Sequence, residues 1–499
     1  MPSISKRSGR FSYSVVAWTS AVLGLLVMFA TGGCESNGGT GGTGGTAGTG
    51  GRAGTGGTAG TGGTAGTGGT TAANVWHEAV LIEQDDIGDA KEPRLAGSQS
   101  GNAVVAWLQN DGERHNVWAN SYDTGTGWQT AAPIEHEDGE AEAPQVAMSP
   151  DGRDAMAVWG QLDDGALWNV WVNHYDGNWR SEGSILDNDN GWHARAPQVV
   201  VYQGGAAKVV WLEQFRLERT VWAERYTPDI DPVHERWWGP ERIDTGTTFA
   251  DASELVLAGY QGGGAMAAWR EVDELGHANY WACRYDTVGL DWDPPVSFGN
   301  DDPLIIQDLR LAAYEGLDVM AVWHHTDGAD DNVWTNRYDM EWGWGDAELI
   351  EPESGVPPTP EVAMDPAGNA IVVWSHWDGS SQNIMARRYD STVGWQTAQA
   401  IDDDDAGSAA NPHVAMDPAG NAMAVWRQRD SFRYNIWSRH YDAASGQWGE
   451  AELVESRDTD ASAPRVTVDA AGNAIVVWHQ WDDALEHNDI WANHWAPPR

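Results

Sequence analysis

Asp365-Pro366-Ala367-Gly368-Asn369-Ala370-Ile371-Val372-Val373-Trp374 is the stretch that decides the fold. Pro and Gly set a tight turn. The run after it is apolar without alternation, so both of its faces must be covered. Nearly the same residues return as Asp417-Pro418-Ala419-Gly420-Asn421-Ala422-Met423-Ala424-Val425-Trp426. Aligned on the closing Trp, the run recurs at Trp107, Trp159, Trp211, Trp269, Trp323, Trp374, Trp426 and Trp478, at spacings of 51 to 58 residues. A period of that length marks a repeat architecture.

Working outward, a first strand precedes each turn, as in Pro144-Gln145-Val146-Ala147-Met148 and Pro412-His413-Val414-Ala415-Met416, which makes the Trp run the second. A third follows the Trp run, as in Asn116-Val117-Trp118 leading into Tyr122-Asp123. The fourth reads Trp, five residues, then an apolar side chain, as at Trp128/Ile134 and Trp395/Ile401. Four short β-rich runs per repeat, with no helical periodicity, predict an all-β eight-bladed β-propeller of four-stranded antiparallel blades. Residues 464–495 supply three strands and stop, while Trp76 to Ile82 carry the fourth-strand pattern at the other end of the chain. An N-terminal strand completing the last blade is therefore expected, which leaves no open edge. The blades fall at about 93–135, 144–185, 197–243, 255–298, 309–350, 360–401, 412–454 and 464–495 plus 76–82, in a domain spanning 74–499.

The chain carries 74 acidic against 29 basic side chains, a formal net charge of −45. Such a field repels nucleic acid and anionic membrane surfaces, and excludes both as partners. Before the repeats, Lys6, Arg7 and Arg10 precede an apolar run from Val15 to Ala30 that is too short to span a bilayer and reads as an export signal. It ends at Thr31-Gly32-Gly33-Cys34, which resembles a bacterial lipobox with Thr31 where that family usually has Leu. The resemblance implies a signal peptide over 1–33, lipidation of Cys34, and export to the outer membrane or cell surface. Membrane attachment would then run only through the lipid anchor. From Cys34 to Ala73 the chain is nearly all Gly, Thr and Ala, the composition of a flexible linker.

An aromatic that recurs in every blade belongs to packing, so function is sought where blades differ. Asp four residues after the second-strand Trp, as at Asp111, Asp378 and Asp430, reads as a turn residue. Two rings of polar positions stand out. The residue two after the Trp is Gln109, Gln161, Glu213, Glu271, His325, His376, Gln428 or Gln480. The second position of the first strand is Arg94, Gln145, Gln198, Val256, Arg310, Glu361, His413 or Arg465. With Trp377 and Trp481 on the variable loop face, the candidate ligand-binding set is His325, His376, Trp377, Arg427, His479, Trp481, Arg310, Glu361, His413 and Arg465. Trp stacks on flat apolar faces while His, Arg and Gln hydrogen-bond, which suits a sugar. Asp187 and Asp189, in Asp187-Asn188-Asp189-Asn190-Gly191, are the candidate calcium ligands, without the downstream acidic residue a calcium loop requires. No other cofactor is indicated.

Over residues 74–499 the organisation resembles the sialidase-like propellers in the broad sense, including their Asp/Gly hairpins and blade-locking Trp. It departs from their Asp-box, having Asp-Pro-Ala-Gly-Asn with Trp at the end of the next strand. The resemblance implies an arginine triad, a Tyr/Glu nucleophile pair and an acid. Arg94, Arg310 and Arg465 lie near the channel mouth, with Arg310 three blades from Arg465, and no motif selects a Tyr. No catalytic residue is assigned, because Gly-x-Ser-x-Gly, His-Glu-x-x-His and P-loop motifs are all absent. The leading expectation is a surface-anchored, non-catalytic binding propeller that presents its variable face to glycans or a cell-surface protein. The alternatives are a glycan-processing hydrolase or lyase and a structural cell-envelope protein.

Overall fold

A computed structural model describes residues 75–497 except 85–87, 136–137, 164–165, 182, 188–190, 217, 229–235, 245, 247–250, 273–275, 300–304, 315–317, 327–330, 355–358, 403–406 and 431. The signal segment, Cys34, the linker and Asp189 lie outside the described residues. The described chain is built of antiparallel sheets of the β-propeller kind. In the repeat of Trp107, Ala90–Gly97 pairs with Ala103–Asn110, that with His115–Asp123, and that with the short Gly127–Trp128 and Ala132–Pro133. The same order recurs in later repeats. Two neighbouring sheets are joined through a single parallel pair, Arg219 with Asp251.

The second strands form the core because nothing polar interrupts them. All eight repeated Trp are at most 1% exposed. Each core cluster draws on two successive repeats. Ala106, Leu108, Val117 and Ile134, for example, pack against Ala157 and Trp159 of the next. Sheets therefore stack face to face, which explains the absence of alternation in these runs.

The Pro/Gly turns are held by their own carboxylates. Asp365 Oδ1 accepts the amides of Ala367 and Asn369, both at 2.9 Å, and its Oδ2 accepts Asn369 Nδ2 at 2.7 Å. Asn369 Oδ1 in turn accepts the Ser391 amide at 3.1 Å, tying this turn to the hairpin of strands three and four. Asp417 and Asp469 repeat the arrangement. The loop Asp residues are likewise turn caps: Asp111 accepts the amides of Glu113 and Arg114 and the side chain of Asn116. Asp365, Asp417 and Asp469 are buried, where an unpaired carboxylate is costly, and their bonds offset that cost.

The two ends of the described chain meet in one sheet. Val75–Trp76 pairs with the last strand, His487–Ala496, through Val75 with Ala496 and Trp76 with Trp495, and Val80–Leu81 pairs through Leu81 with Trp491. Trp76 takes the register that Trp128 takes opposite Tyr122. Its indole N–H donates to Ser438 Oγ of the preceding repeat at 3.1 Å. Ile82, Ala90, Ala103 and Trp107 form one cluster with Ile475, Val477 and Ile490, so the first repeat packs on the last. Gly97 sits so close to Thr467 that a Cβ there would lie 2.2 Å from its Oγ1.

Candidate functional site

In seven repeats the pairing of strands one and two slips, between Lys91/Arg94, Glu142/Gln145, Arg195/Gln198, Ser253/Val256, Gln307/Arg310, Ala410/His413 and Ser462/Arg465. Inside each slip a residue other than Gly takes a left-handed backbone: Glu92 (φ 55°), Ala143 (48°), Ala196 (52°), Glu254 (51°), Asp308 (58°), Asn411 (52°) and Ala463 (52°). Each such residue costs about 1–2 kcal/mol, and a bulge re-aims the side chains that follow it. The residue closing each slip lines one cavity of about 510 Å³: Arg94, Gln145, Gln198, Val256, Arg310, His413 and Arg465, joined by Glu361. The first strands of all eight repeats thus converge on a single polar space.

Its electrostatics are uneven. Arg310 Nε donates to Glu361 Oε1 at 2.9 Å, and the opposed carboxylate raises the Arg310 pKa. Burial pushes the Glu361 carboxyl up, but Arg310, then His413 and Arg465, outweigh it and hold the group below its usual value. Burial, then Arg465, pushes His413 down to about 4. Its Nδ1 faces the Val466 amide at 3.3 Å, so the neutral ring carries its proton on Nε2. Arg94 is pushed down to about 10 by burial and by Arg465. No hydrogen bond or ion pair reaches the Arg94 guanidinium among the described residues. Across the same cavity, burial raises the Glu254 carboxyl, which accepts the Tyr280 hydroxyl at 3.2 Å.

The structure brings Arg310, Glu361, His413 and Arg465 together and separates the rest of the candidate set from them. His325 is corrected in placement: it is buried in the core and not on a ligand-facing ring, whereas His376 is half-buried. The position two after the Trp lies on the same strand face as that Trp, and there it receives the buried indole N–H. Trp107 donates to Gln109 at 2.9 Å, Trp159 to Gln161 at 2.7 Å, Trp426 to Gln428 at 2.9 Å and Trp478 to Gln480 at 3.0 Å. His325, 4% exposed, packs edge-on against Trp334, and Trp374 donates to Glu351, which lies 4.0 Å from His376. Trp377 and Trp481 are half-buried at their strand ends, paired with Gln382 and Asn488. Arg427 donates to Ser462 Oγ at 3.0 Å and stacks over Tyr434. Burial pushes His479 down to about 4, with Asp89, Arg427 and Arg465 among its charged neighbours, and neither His479 nor Arg427 lines the cavity.

Asp187 Oδ1 accepts the Val170 amide at 2.9 Å, which makes it a strand clasp. Asp244 does the same for Val221 at 3.0 Å. Both belong to a set the sequence reading missed, an acidic residue at the end of the fourth strand in seven of the eight repeats, Gly299 standing in the other. Glu83, Glu135, Asp187, Asp244, Glu351, Asp402 and Glu455 are all buried. Among the described residues no cluster of three or more potential metal ligands occurs. A larger cavity, about 810 Å³, lies nearer the Pro/Gly turns, lined by Tyr202, Tyr260, Tyr314 and small residues. It holds no charged side chain among the described residues.

Fold and site together define an all-β, propeller-type protein with an arginine-rich polar cavity among its first strands. No family model matches the chain, and no curated protein matches it. Among solved structures it is similar to a protein of unknown function from Dyadobacter fermentans, at 12% identity over 85% of this chain and 99% of that one, TM-score 0.43. It is also similar to an ulvan lyase of a new polysaccharide-lyase family, at 10% identity over 74% and 98%, TM-score 0.49. The β-propeller domain of the trilobed protease of Pyrococcus furiosus is similar at 9% identity over 74% and 99%, TM-score 0.42.

Proposed function

We propose that this chain is an exported, lipid-anchored, eight-bladed propeller, closed by its strand near Trp76, whose channel cavity binds an acid-bearing saccharide without turning it over. The observation that carries this reading is Arg94. A partly desolvated guanidinium with no acceptor is costly, and a chain with 74 acidic residues could readily have supplied one. A ligand carboxylate or sulfate would supply it, with Arg465 alongside and Gln145 and Gln198 hydrogen-bonding hydroxyls. Hydrogen bonds to charged groups contribute about 1.5–3 kcal/mol, which for Arg94 corresponds to roughly 10- to 150-fold in affinity. The cavity volume falls within the usual range for small-molecule sites.

Binding is favoured over elimination chemistry by the tautomer of His413. With Nδ1 accepting the Val466 amide, Nε2–H can only donate, so the ring offers no base to a sugar proton. A hydrolase reading rests on a different observation. Glu254 and Glu361 line one cavity with their pKa values displaced in opposite directions, the pattern of an acid and a base.

The test is calorimetric titration of the full chain with uronate, sialylated and sulfated oligosaccharides, alongside chromatography for released products. Expected are saturable binding of one acidic class, at least a tenfold loss in Arg94→Ala, and no products. Products that disappear in both Glu254→Gln and Glu361→Gln would establish the hydrolase. Absence of acidic-glycan binding would overturn the channel reading.

A further inference from the structure

We propose a second saccharide site, independent of the channel, on the outer side of the repeat of Trp323, built around Trp342 and selective for neutral, hydroxyl-rich sugars. The hairpin Tyr338-Asp339-Met340-Glu341-Trp342-Gly343-Trp344 is tightened by Asp339 Oδ1, which accepts the amides of Glu341 at 2.8 Å and Trp342 at 3.2 Å. Gly343 takes φ 81° at the tip. The result is an indole standing in solvent, 80% exposed. Thr126 and Gly446 hold the matching place two before the fourth-strand Trp in other repeats, so the fold itself does not require Trp there.

Beside the indole is a cavity of about 260 Å³, lined by Asn336, Arg337, Trp344, Asp346, Glu348 and Trp395 among others. Three of its lining residues carry buried polar atoms with no hydrogen-bond partner: Asn336 Oδ1, Arg337 Nε and Trp344 Nε1. Asn336 is informative by comparison. Its Nδ2 donates to the Phe298 and Gly345 carbonyls, as Asn173 Nδ2 donates to those of Ile134 and Arg180. In other repeats the Oδ1 of this Asn is occupied, by the Ser121 amide for Asn120, the Arg180 amide for Asn173 and the His494 amide for Asn493. Among the described residues at this position, the Asn acceptor is left without a partner only where the cavity and the exposed indole adjoin it.

An open acceptor, two open donors and a flat apolar platform suit a pyranose, whose C–H face stacks on an indole while its hydroxyls both donate and accept. Asp339, Asp346 and Glu348 line the same cavity, so a sugar carboxylate or sulfate would be repelled. That separates this site from the guanidinium-rich channel.

Saturation-transfer NMR and calorimetry on the full chain, with cello-, xylo-, malto- and chito-hexaoses and a uronate hexamer as probes, test the assignment. Expected is binding of at least one neutral hexaose, weakened at least tenfold in Trp342→Ala and unchanged in Arg94→Ala. Trp342 is exposed, so the variant should melt with the parent, and Trp342→Phe should recover part of the affinity. Neutral hexaose binding that survives Trp342→Ala, or no such binding at all, overturns the proposal. So does a Trp342→Ala variant that loses only adsorption to phosphatidylcholine vesicles, which would make the hairpin a lipid contact.

Discussion

Asn120 Nδ2 donates to the backbone carbonyl of Ile82 at 2.8 Å, joining the first full repeat to the segment that pairs with the final strand. The bond belongs to a series. Asn173 reaches Ile134, Asn336 reaches Phe298, Arg387 reaches Ile350, Arg439 reaches Ile401 and Asn493 reaches Val454, each at 2.6–3.0 Å. At every one of these junctions a third-strand side chain grips a carbonyl at the fourth strand of the preceding repeat. The seam is fastened like the other joints, which supports the proposed closure. Asn120→Ala leaves a buried carbonyl without its donor and should cost about 1–3 kcal/mol, a fall of several degrees in melting temperature. Deleting residues 75–81 should cost far more, because it also strips Trp76 from its cluster. Melts of both variants check this, and an unchanged deletion variant would contradict closure by this strand.

The polar position after each core Trp makes a second test. Gln161 accepts the Trp159 indole N–H and donates to the Gly139 carbonyl at 2.8 Å. Gln161→Leu orphans both and should destabilise by about 1–3 kcal/mol in urea unfolding. Trp159→Phe combined with Gln161→Leu should cost less than the sum of the two single changes, since they share a bond.

This ring also shows what the sequence could and could not convey. Period, strand order and the location of the missing fourth strand are written in recurring Trp, Pro/Gly and Asp residues, because repeated packing demands repeated residues. A polar residue two after the core Trp recurs in all eight repeats, as Gln in four of them, and recurrence alone cannot distinguish a core hydrogen bond from a lining side chain. The inward turn of Arg94 and Arg465 depends on left-handed residues such as Glu92 and Ala463, whose only sequence trace is the Pro that follows each. Trp342 went unread because Trp344, two residues on, carries the repeat.

Those left-handed residues predict an inverted glycine effect. Ala463 holds φ 52°, where Gly suffers no Cβ penalty. Relief of about 1–2 kcal/mol is set against about 0.4–1 kcal/mol of added unfolded-state entropy. Ala463→Gly should therefore match the parent or exceed it by up to about 1.5 kcal/mol. Ala474→Gly, in a fully buried second strand, should be clearly destabilised. Equilibrium unfolding of the pair decides whether the bulge is strained.

Acid should weaken the fold over a defined window. Burial lowers the pKa of His174, His413 and His479 to about 4 from 6.5, so the folded state binds fewer protons than the unfolded chain between those values. Their contribution is complete above pH 6.5 and is lost as pH falls toward 4. Glu224 runs the other way: burial raises it to about 7, so its contribution is complete below 4.5 and fades as pH rises through 7. Urea unfolding across pH 4–7 should show a falling acid limb that becomes shallower in His479→Gln, and an unaltered limb would remove His479 from the account.

Arg94 links stability to binding. It lies close to Arg465, its pKa is lowered first by burial, and it has no hydrogen-bond or ion-pair partner among the described residues. Removing a costly group from a binding site stabilises the empty protein while abolishing function. Arg94→Met keeps the apolar stem and deletes the charge. Without saccharide its melting temperature should equal or exceed that of the parent. With an acidic oligosaccharide the parent should gain about 2.7 kcal/mol at one hundred times its Kd, while the variant, bound roughly 10- to 150-fold more weakly, should gain only about 0.3–1.4 kcal/mol at the same concentration. A variant that melts well below the parent without saccharide would show that Arg94 holds the fold together, and the channel would lose its strongest claim to a ligand.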